Sequence, residues 1–147
     1  ANGQTQFMGA MACATPVAPL GMALSTVIGR KMNLFSEAEL EAGKAAGAMG
    51  LVGISEGAIP FAAQDPFSVI PANVIGSMLA SVMAFSFGVT DSVAHGGPIV
   101  ALLGAMNKPL IAIVCMLCGA VATALIAIIL KKFFTKKTQI NEASQAT

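Results

Sequence analysis

Charge is what this sequence has least of. Of its 147 residues, 10% are charged and 56% are hydrophobic. Because soluble domains average about 25% charged residues, the composition excludes an ordinary soluble domain and indicates an integral membrane protein built of helices. A net charge of +1 gives no indication of nucleic-acid binding, and the basic residues cluster at segment ends, as topology signals do. Trp and Tyr, which usually mark membrane interfaces, are also absent, and nothing in the sequence explains this.

Residues that could carry chemistry are few. The chain has one histidine, His95, and three cysteines, Cys13, Cys115 and Cys118. The last two have C-x-x-C spacing, but they lie in an apolar run without a neighbouring His or acid, so we interpret all three cysteines as packing residues. The sequence contains no catalytic triad, metal cluster or phosphate-binding loop. We therefore predict no catalytic residue, no metal and no cofactor.

Three uncharged runs are long enough to cross about 30 Å of hydrocarbon. They predict helices over 7–29, 67–88 and 110–130. Pro16 and Pro19 break or kink the first of them near its middle. Arg30 and Lys31 follow the first run and four lysines follow the third, which predicts that both ends, and the C-terminus, lie on the cytoplasmic side.

Two polar stretches lie outside these runs. Residues 36–46 begin with the capping box Ser36-Glu37-Ala38-Glu39, which predicts a surface helix. The tail 138–147 is polar, and we predict that it is disordered.

Two further apolar segments are interrupted by polar residues, Gly and Pro. Segment 47–65 contains Glu56, and segment 91–107 contains His95. A charge at bilayer depth costs about 3 kcal/mol, and broken backbone must be buried in protein or line a wet cavity. We therefore predict an all-α membrane protein in which two re-entrant or broken-helix segments bind something polar.

Several polar residues have alternative interpretations. The Glu56 carboxylate could accept hydroxyl hydrogen bonds from a sugar, carry a proton, or be satisfied by a neighbouring helix. A neutral His95 ring could donate to one hydroxyl and accept from another, or be structural. We expect Asp65 to cap the helix that follows it and Asp91 to cap a helix or be solvated.

Three sequence blocks resemble one known family. They are Gly53-Ile54-Ser55-Glu56-Gly57-Ala58-Ile59-Pro60-Phe61, Ala94-His95-Gly96-Gly97 and the block from Pro16 to Leu24. Together they resemble the membrane-spanning IIC component of the fructose-type bacterial phosphoenolpyruvate-dependent phosphotransferase system (PTS). The resemblance covers residues 8–130, and Ala94 stands where the family usually has Pro. Family IIC domains are about twice this length, so residues 1–137 are expected to form the C-terminal part of one.

The resemblance implies a function. A IIC component binds a sugar, translocates it across the bacterial inner membrane, and presents it for phosphorylation by a phosphorylated IIB domain. IIA, HPr and enzyme I act upstream, and the permease is expected to be a homodimer. By this resemblance Glu56 and His95, with Gly57 and Gly96 beside them, bind the sugar, and no residue of this chain donates the phosphoryl group. The alternatives are an ion-coupled secondary transporter and a non-transporting membrane fragment.

Overall fold

Seven α-helices form most of the chain in this computed structural model, which describes the backbone of residues 2–93 and 95–145 and the side chains of 4–93 and 95–136. In chain order they are α1 Asn2–Ala14, α2 Val17–Gly29, α3 Glu37–Val52, α4 Ile59–Gln64, α5 Pro66–Ser86, α6 Pro98–Leu102 and α7 Pro109–Gln145. Short 3₁₀ helices cover Arg30–Met32 and Ser55–Ala58. The described residues contain no strand, only an isolated bridge between Asp91 and Met106. The predicted all-α class is confirmed.

Three helical stretches are long and apolar enough to cross a membrane. They are Gln4–Met32, Pro66–Ser86 and Pro109–Lys136. The first of these contains the break predicted from its prolines, because α1 ends at Ala14 and α2 begins at Val17. Pro16 forms the turn between them, and Pro19 sits in the first turn of α2, where proline is tolerated.

Glycines let α2, α5 and α7 cross closely. A Cβ on Gly76 of α5 or on Gly21 of α2 would overlap the side chain of Thr123, and one on Gly119 would lie 2.8 Å from the Gly76 carbonyl oxygen. Val17 also packs against Gly119, so α2 runs parallel to α7 and α5 antiparallel to both. Small residues at such crossings allow backbones to approach, which is how helices associate in lipid.

These directions give the bundle two distinct ends. The basic end contains Arg30, Phe35 and Lys131, and Lys131 Nζ lies 4.5 Å from the centre of the Phe35 ring. The loop end contains the start of α1 and the backbone between α5 and α7. Helix α1 joins this arrangement by packing antiparallel on α5, where Ser81 Oγ donates to the Ala10 carbonyl at 3.3 Å.

Helix α3 differs from the predicted surface helix 36–46. The capping box is confirmed, since Ser36 accepts from the Glu39 N–H and Glu39 accepts from the Ser36 N–H. The helix then continues to Val52 and packs antiparallel along α2. Its glycines allow this, because Gly43 faces Thr26 and Gly50 faces Leu20. A close helix pair therefore replaces the separate surface helix.

The tail 138–147 was predicted to be disordered, but the backbone of residues 138–145 is helical, and residues 146–147 lie outside the described residues. Helix α7 continues to Gln145, and residues 120–147 contain neither Gly nor Pro to end it. The side chains from residue 137 onward lie outside the described residues.

Candidate functional site

The segment around Glu56 folds back on α3 as a helical hairpin, which we call the glutamate hairpin (residues 37–64). Helix α3 enters from the basic end, and its 16 residues extend about 24 Å along the bundle. The chain turns at Gly53, whose φ is +90°, and returns through the 3₁₀ turn and α4. A Cβ on Gly57 would lie 3.0 Å from Ala46 Cα and 3.2 Å from Pro19 Cβ. Because Gly57 has no side chain, the returning arm can pack closely against α3 and α2.

A second hairpin enters from the loop end, and we call it the histidine hairpin (residues 90–107). Backbone hydrogen bonds close its base: Ser92 N–H donates to the Ala105 carbonyl at 3.2 Å, and Asn107 N–H donates to the Thr90 carbonyl at 3.2 Å. Its tip is His95-Gly96-Gly97, and the five-residue α6 forms its returning arm. Ala94, where the family usually has Pro, lies outside the described residues.

The two hairpins meet at their tips through backbone atoms. A Cβ on Gly53 would overlap the Gly96 carbonyl, and one on Gly97 would lie 2.8 Å from Gly53 Cα. Gly97 has a φ of +114°, so both it and Gly53 adopt left-handed conformations that other residues rarely take. The structure therefore brings together the two interrupted segments singled out in the sequence.

His95 joins the hairpins with its side chain. Its Nε2 lies 2.8 Å from the Val52 carbonyl oxygen, and because a carbonyl only accepts, Nε2 carries the proton and donates. This bond satisfies one of the last carbonyls of α3, which have no partner within the helix. In the neutral ring Nδ1 then remains as an acceptor. The exposed ring thus offers a ligand one acceptor, whereas the sequence analysis predicted both a donor and an acceptor.

A cavity of about 170 Å³ lies beside His95. It is lined by Met8, Met11, Ala12, Thr15, Val93, His95 and Gly96. Pro16 and Pro19 have no N–H, so the helical bonds to the carbonyls of Ala12 and Thr15, four residues earlier, cannot form. The break between α1 and α2 therefore presents backbone acceptors at the level of the hairpin tips.

Glu56 lies on the 3₁₀ turn just past the tip of the glutamate hairpin, with its side chain exposed. Among the described residues its carboxylate has no ion-pair partner, so no neighbouring helix satisfies it. It is not one of the residues that line the cavity beside His95, and it makes no hydrogen bond to His95. The structure thus brings the two hairpin tips into contact but leaves the side chains of Glu56 and His95 apart.

Curated proteins similar to this chain share one description. The chain is 44% identical over 121 residues to the "PTS system fructose-specific EIIABC component" of Bacillus subtilis, covering 82% of this chain and 18% of that protein. It is 46% identical over 120 residues to the "Fructose-like permease IIC component 2" of Escherichia coli, covering 82% and 32%. It is 38% identical over 136 residues to the "PTS system fructose-specific EIIC component" of Haloferax volcanii, covering 92% and 35%.

The chain belongs to the fructose-type IIC family. It spans about a fifth to a third of the length of these curated relatives. No protein-family profile and no solved structure matches it.

Asp91 of this IIC chain is a polar residue whose environment the sequence did not reveal. The prediction that it caps a helix or is solvated was wrong, because the residue is 1% exposed and its Oδ1 accepts from the Val93 N–H within the loop. Its Oδ2 is buried without a described hydrogen-bond partner. Only the fold shows this burial, since α1 lies against this loop and its Thr5 carbonyl accepts from the Asp91 N–H at 3.1 Å.

The cysteines have two environments. All three thiols are free, with Cys13 and Cys115 buried and Cys118 exposed on α7. Cys13 and Cys115 belong to the apolar core near the loop end. The packing interpretation holds for these two thiols and not for Cys118.

Proposed function

We propose that this chain forms the sugar-binding part of a fructose-type PTS permease and that it binds the sugar where the two hairpin tips meet. The observation that carries the proposal is the backbone contact between Gly53 and Gly96. His95 precedes Gly96 directly, and Glu56 follows Gly53 by three residues. Polar groups and broken helices at membrane depth are the features by which transporters hold polar substrates.

The available hydrogen-bonding atoms suit a sugar. Glu56 offers an unpaired carboxylate, His95 offers Nδ1, and the carbonyls of Ala12 and Thr15 lack their helical donors. All of these are acceptors, and sugar hydroxyls are donors. The backbone N–H groups of Gly57 and Gly96 are the candidate donors to oxygen atoms of the sugar. In this proposal the sugar supplies hydroxyl donors to both hairpins at once.

The partners follow from the family. Relatives named as fused EIIABC and EIIB'BC components contain IIB together with IIC. We infer that a phosphorylated IIB domain phosphorylates the sugar bound here, with IIA, HPr and enzyme I upstream. The buried Cys13 and Cys115 cannot reach a soluble domain, which agrees with a phosphoryl donor outside this chain.

The proposed orientation is multi-pass in the bacterial inner membrane, with the basic end in the cytoplasm. Arg30, Lys31, Lys131 and Lys132 all belong to that end, because α2 and α7 run parallel. The histidine hairpin then enters from outside and the glutamate hairpin from the cytoplasm, each as a re-entrant segment. A homodimer, as in the wider family, completes the proposal.

Sugar binding to the purified full chain in lipid tests the assignment of Glu56. Replacing Glu56 by Gln removes a charged acceptor, and hydrogen bonds to charged groups contribute about 1.5–3 kcal/mol. We expect fructose affinity to fall by roughly 10- to 100-fold. Glu37→Gln is the matched control, because Glu37 is an exposed glutamate in the first turn of α3, away from the tips. Wild-type affinity in Glu56→Gln would refute the assignment.

Phosphorylation distinguishes the proposal from its alternatives. With IIB, IIA, HPr, enzyme I and phosphoenolpyruvate, membranes containing the chain should convert labelled fructose to a sugar phosphate. Uptake that an uncoupler stops and that does not need phosphoenolpyruvate would indicate an ion-coupled transporter. A chain that binds no sugar yet associates with a complete IIC component would be a non-transporting partner.

A further inference from the structure

A second cavity, much larger than the one beside His95, opens along α2 and α3. Its volume is about 760 Å³. Its wall is formed by α2, α3, α6 and α7. Most of its lining side chains are apolar, among them Leu20, Leu24, Val27, Leu51, Leu117 and Val121. We call it the apolar groove. Few of its lining side chains could form hydrogen bonds to a sugar, so its occupant must be largely hydrocarbon.

Among the described residues that line the apolar groove, two are charged, and both are cations, Arg30 and Lys44. Both belong to its half nearest the basic end, since Arg30 follows α2 and Gly43, beside Lys44, faces Thr26. Lys44 also pairs with Glu41 at 3.2 Å, but both side chains are about 80% exposed, and such pairs contribute little. Arg30 has no described side-chain partner. The groove therefore presents positive charge at one end only.

The length of the apolar groove matches one leaflet of a bilayer. From Arg30 back to Leu20, both of which line it, the chain along α2 rises about 15 Å. Half of the hydrocarbon core of a bilayer is about 15 Å. With Arg30 at the level of the headgroups, the flexible Lys44 side chain can extend to the same level, and the apolar wall beyond them faces acyl chain.

We propose that the apolar groove binds a phospholipid with an anionic headgroup in the leaflet at the basic end. The acyl chains lie along Leu24, Leu51 and Leu117, and the phosphate accepts hydrogen bonds from Arg30 and Lys44. Basic pockets between membrane helices bind anionic headgroups in this way, and the arginine fork matches phosphate geometry. A second copy of the chain or another part of a permease would have to bring acidic side chains to both cations, because burying them unpaired is costly, whereas an anionic headgroup supplies that charge within the leaflet itself.

The absence of Trp from the chain makes a direct test possible. A Trp introduced as Leu117→Trp reports from the groove, and Val82→Trp reports from the outward face of α5. Because Ala80 packs beside Gly119, these two positions lie at similar depth. Each full-length variant is reconstituted into vesicles of phosphatidylcholine and phosphatidylglycerol, in which either lipid alone carries brominated acyl chains that quench Trp.

We expect brominated phosphatidylglycerol to quench the Leu117→Trp reporter at least threefold more than its mole fraction predicts, with no such preference at Val82→Trp. Adding Arg30→Gln and Lys44→Gln should remove the preference. Adding Lys31→Gln should leave it, because Lys31 is exposed next to Arg30 and does not line the groove. Leu51→Trp is a second reporter in case Leu117→Trp disturbs folding.

Three results would overturn the proposal. Equal quenching by both lipids in the groove, or a preference that survives loss of both cations, would show that the headgroup is not recognised. Groove reporters that neither lipid quenches would show that protein covers the groove, and cross-linking would then identify a second copy or another part of a permease.

Discussion

The two hairpins that meet at the candidate site are held in very different ways. The glutamate hairpin rests on a 16-residue helix, a complete capping box, and the side chain of Glu39, which is 4% exposed and pairs with Lys131 of α7. The histidine hairpin has a five-residue helix, hydrogen bonds among its own loop residues, and a neutral bond from the Asp91 N–H to a carbonyl of α1. It adds Ala101 and Met106 to the apolar core, but its described residues form no ion pair with the bundle. One hairpin is therefore anchored by a long helix and a largely buried ion pair, and the other by a small apolar contact and neutral hydrogen bonds.

This contrast predicts which hairpin moves. Opening the histidine hairpin breaks neutral hydrogen bonds and exposes the small apolar contact of Ala101 and Met106, whereas moving the glutamate hairpin also separates the ion pair that holds its long helix. Elements that move during function come from the least stable parts of a structure. We therefore expect the histidine hairpin to open first and the glutamate hairpin to act as the fixed side of the site.

Breaking the anchor of the glutamate hairpin should have the largest effect. Glu39 uses one carboxylate oxygen for the capping box and the other for Lys131. Glu39→Gln leaves Lys131, whose side chain is 14% exposed, without its ion-pair partner, and we expect a loss of about 3 kcal/mol of unfolding free energy. Thermal unfolding in detergent measures this.

Glu41→Gln provides the matched control for that anchor. Glu41 lies on the same helix and pairs with Lys44 on the surface, so its replacement should change stability by no more than about 1 kcal/mol. Equal effects of Glu39→Gln and Glu41→Gln would mean that the buried pair does not anchor the hairpin.

Disturbing the contact between the tips should have the next largest effect. Gly53→Ala imposes a left-handed conformation on alanine, at about 1–2 kcal/mol, and drives its methyl group into the Gly96 carbonyl, at about 1–3 kcal/mol more. Sugar binding should fall with stability, since both hairpins are displaced.

Gly104→Ala separates these two contributions. Gly104 has a φ of +82° but no atom within 4 Å of an added Cβ, so only the conformational cost applies. If Gly53→Ala and Gly104→Ala bind sugar equally well, the contact between the tips is not needed for binding.

Loosening the histidine hairpin should have the smallest effect on global stability. The Asn107 side chain accepts from the Thr90 N–H at 2.8 Å and donates to the Gly88 carbonyl at 3.1 Å. Because it is exposed, we expect Asn107→Ala to cost about 1 kcal/mol. Hydrogen exchange should speed up in residues 88–107 and stay unchanged in 37–64.

Gln64→Ala is the counterpart on the other hairpin. Gln64 is an exposed amide at the end of α4, and its loss should change exchange in neither hairpin. Faster exchange across both hairpins in Asn107→Ala would mean that they open together rather than in sequence.

Local patterns in the sequence predicted local structure well. The capping box at Ser36 and the cap at Asp65, whose Oδ1 accepts from the Ser68 N–H at 3.2 Å, join residues three apart. The break at Pro16 follows from a missing N–H in the same way. Hydropathy indicated the three long helices because lipid demands long apolar runs.

Contacts between distant residues could not be predicted. Glu39 and Lys131 are 92 positions apart, and each alone looks like a solvated charge. The packing of α3 along α2 depends on Gly43 and Gly50 facing particular side chains, which periodicity does not specify. The sequence drew attention to Glu56 and His95 because both sit in broken segments, but it could not show that His95 would donate to the end of α3.

The contact between the hairpin tips consists of main-chain atoms, and this has a consequence for how such proteins diversify. Ile54 and Val93, which flank the tips, are 37% and 43% exposed, and their side chains take no part in the glycine contact. Single substitutions at such positions can alter the size and polarity of the binding region while the glycines stay the same. Related proteins can thus change their substrate preference by single substitutions while the glycine contact between the hairpins stays the same.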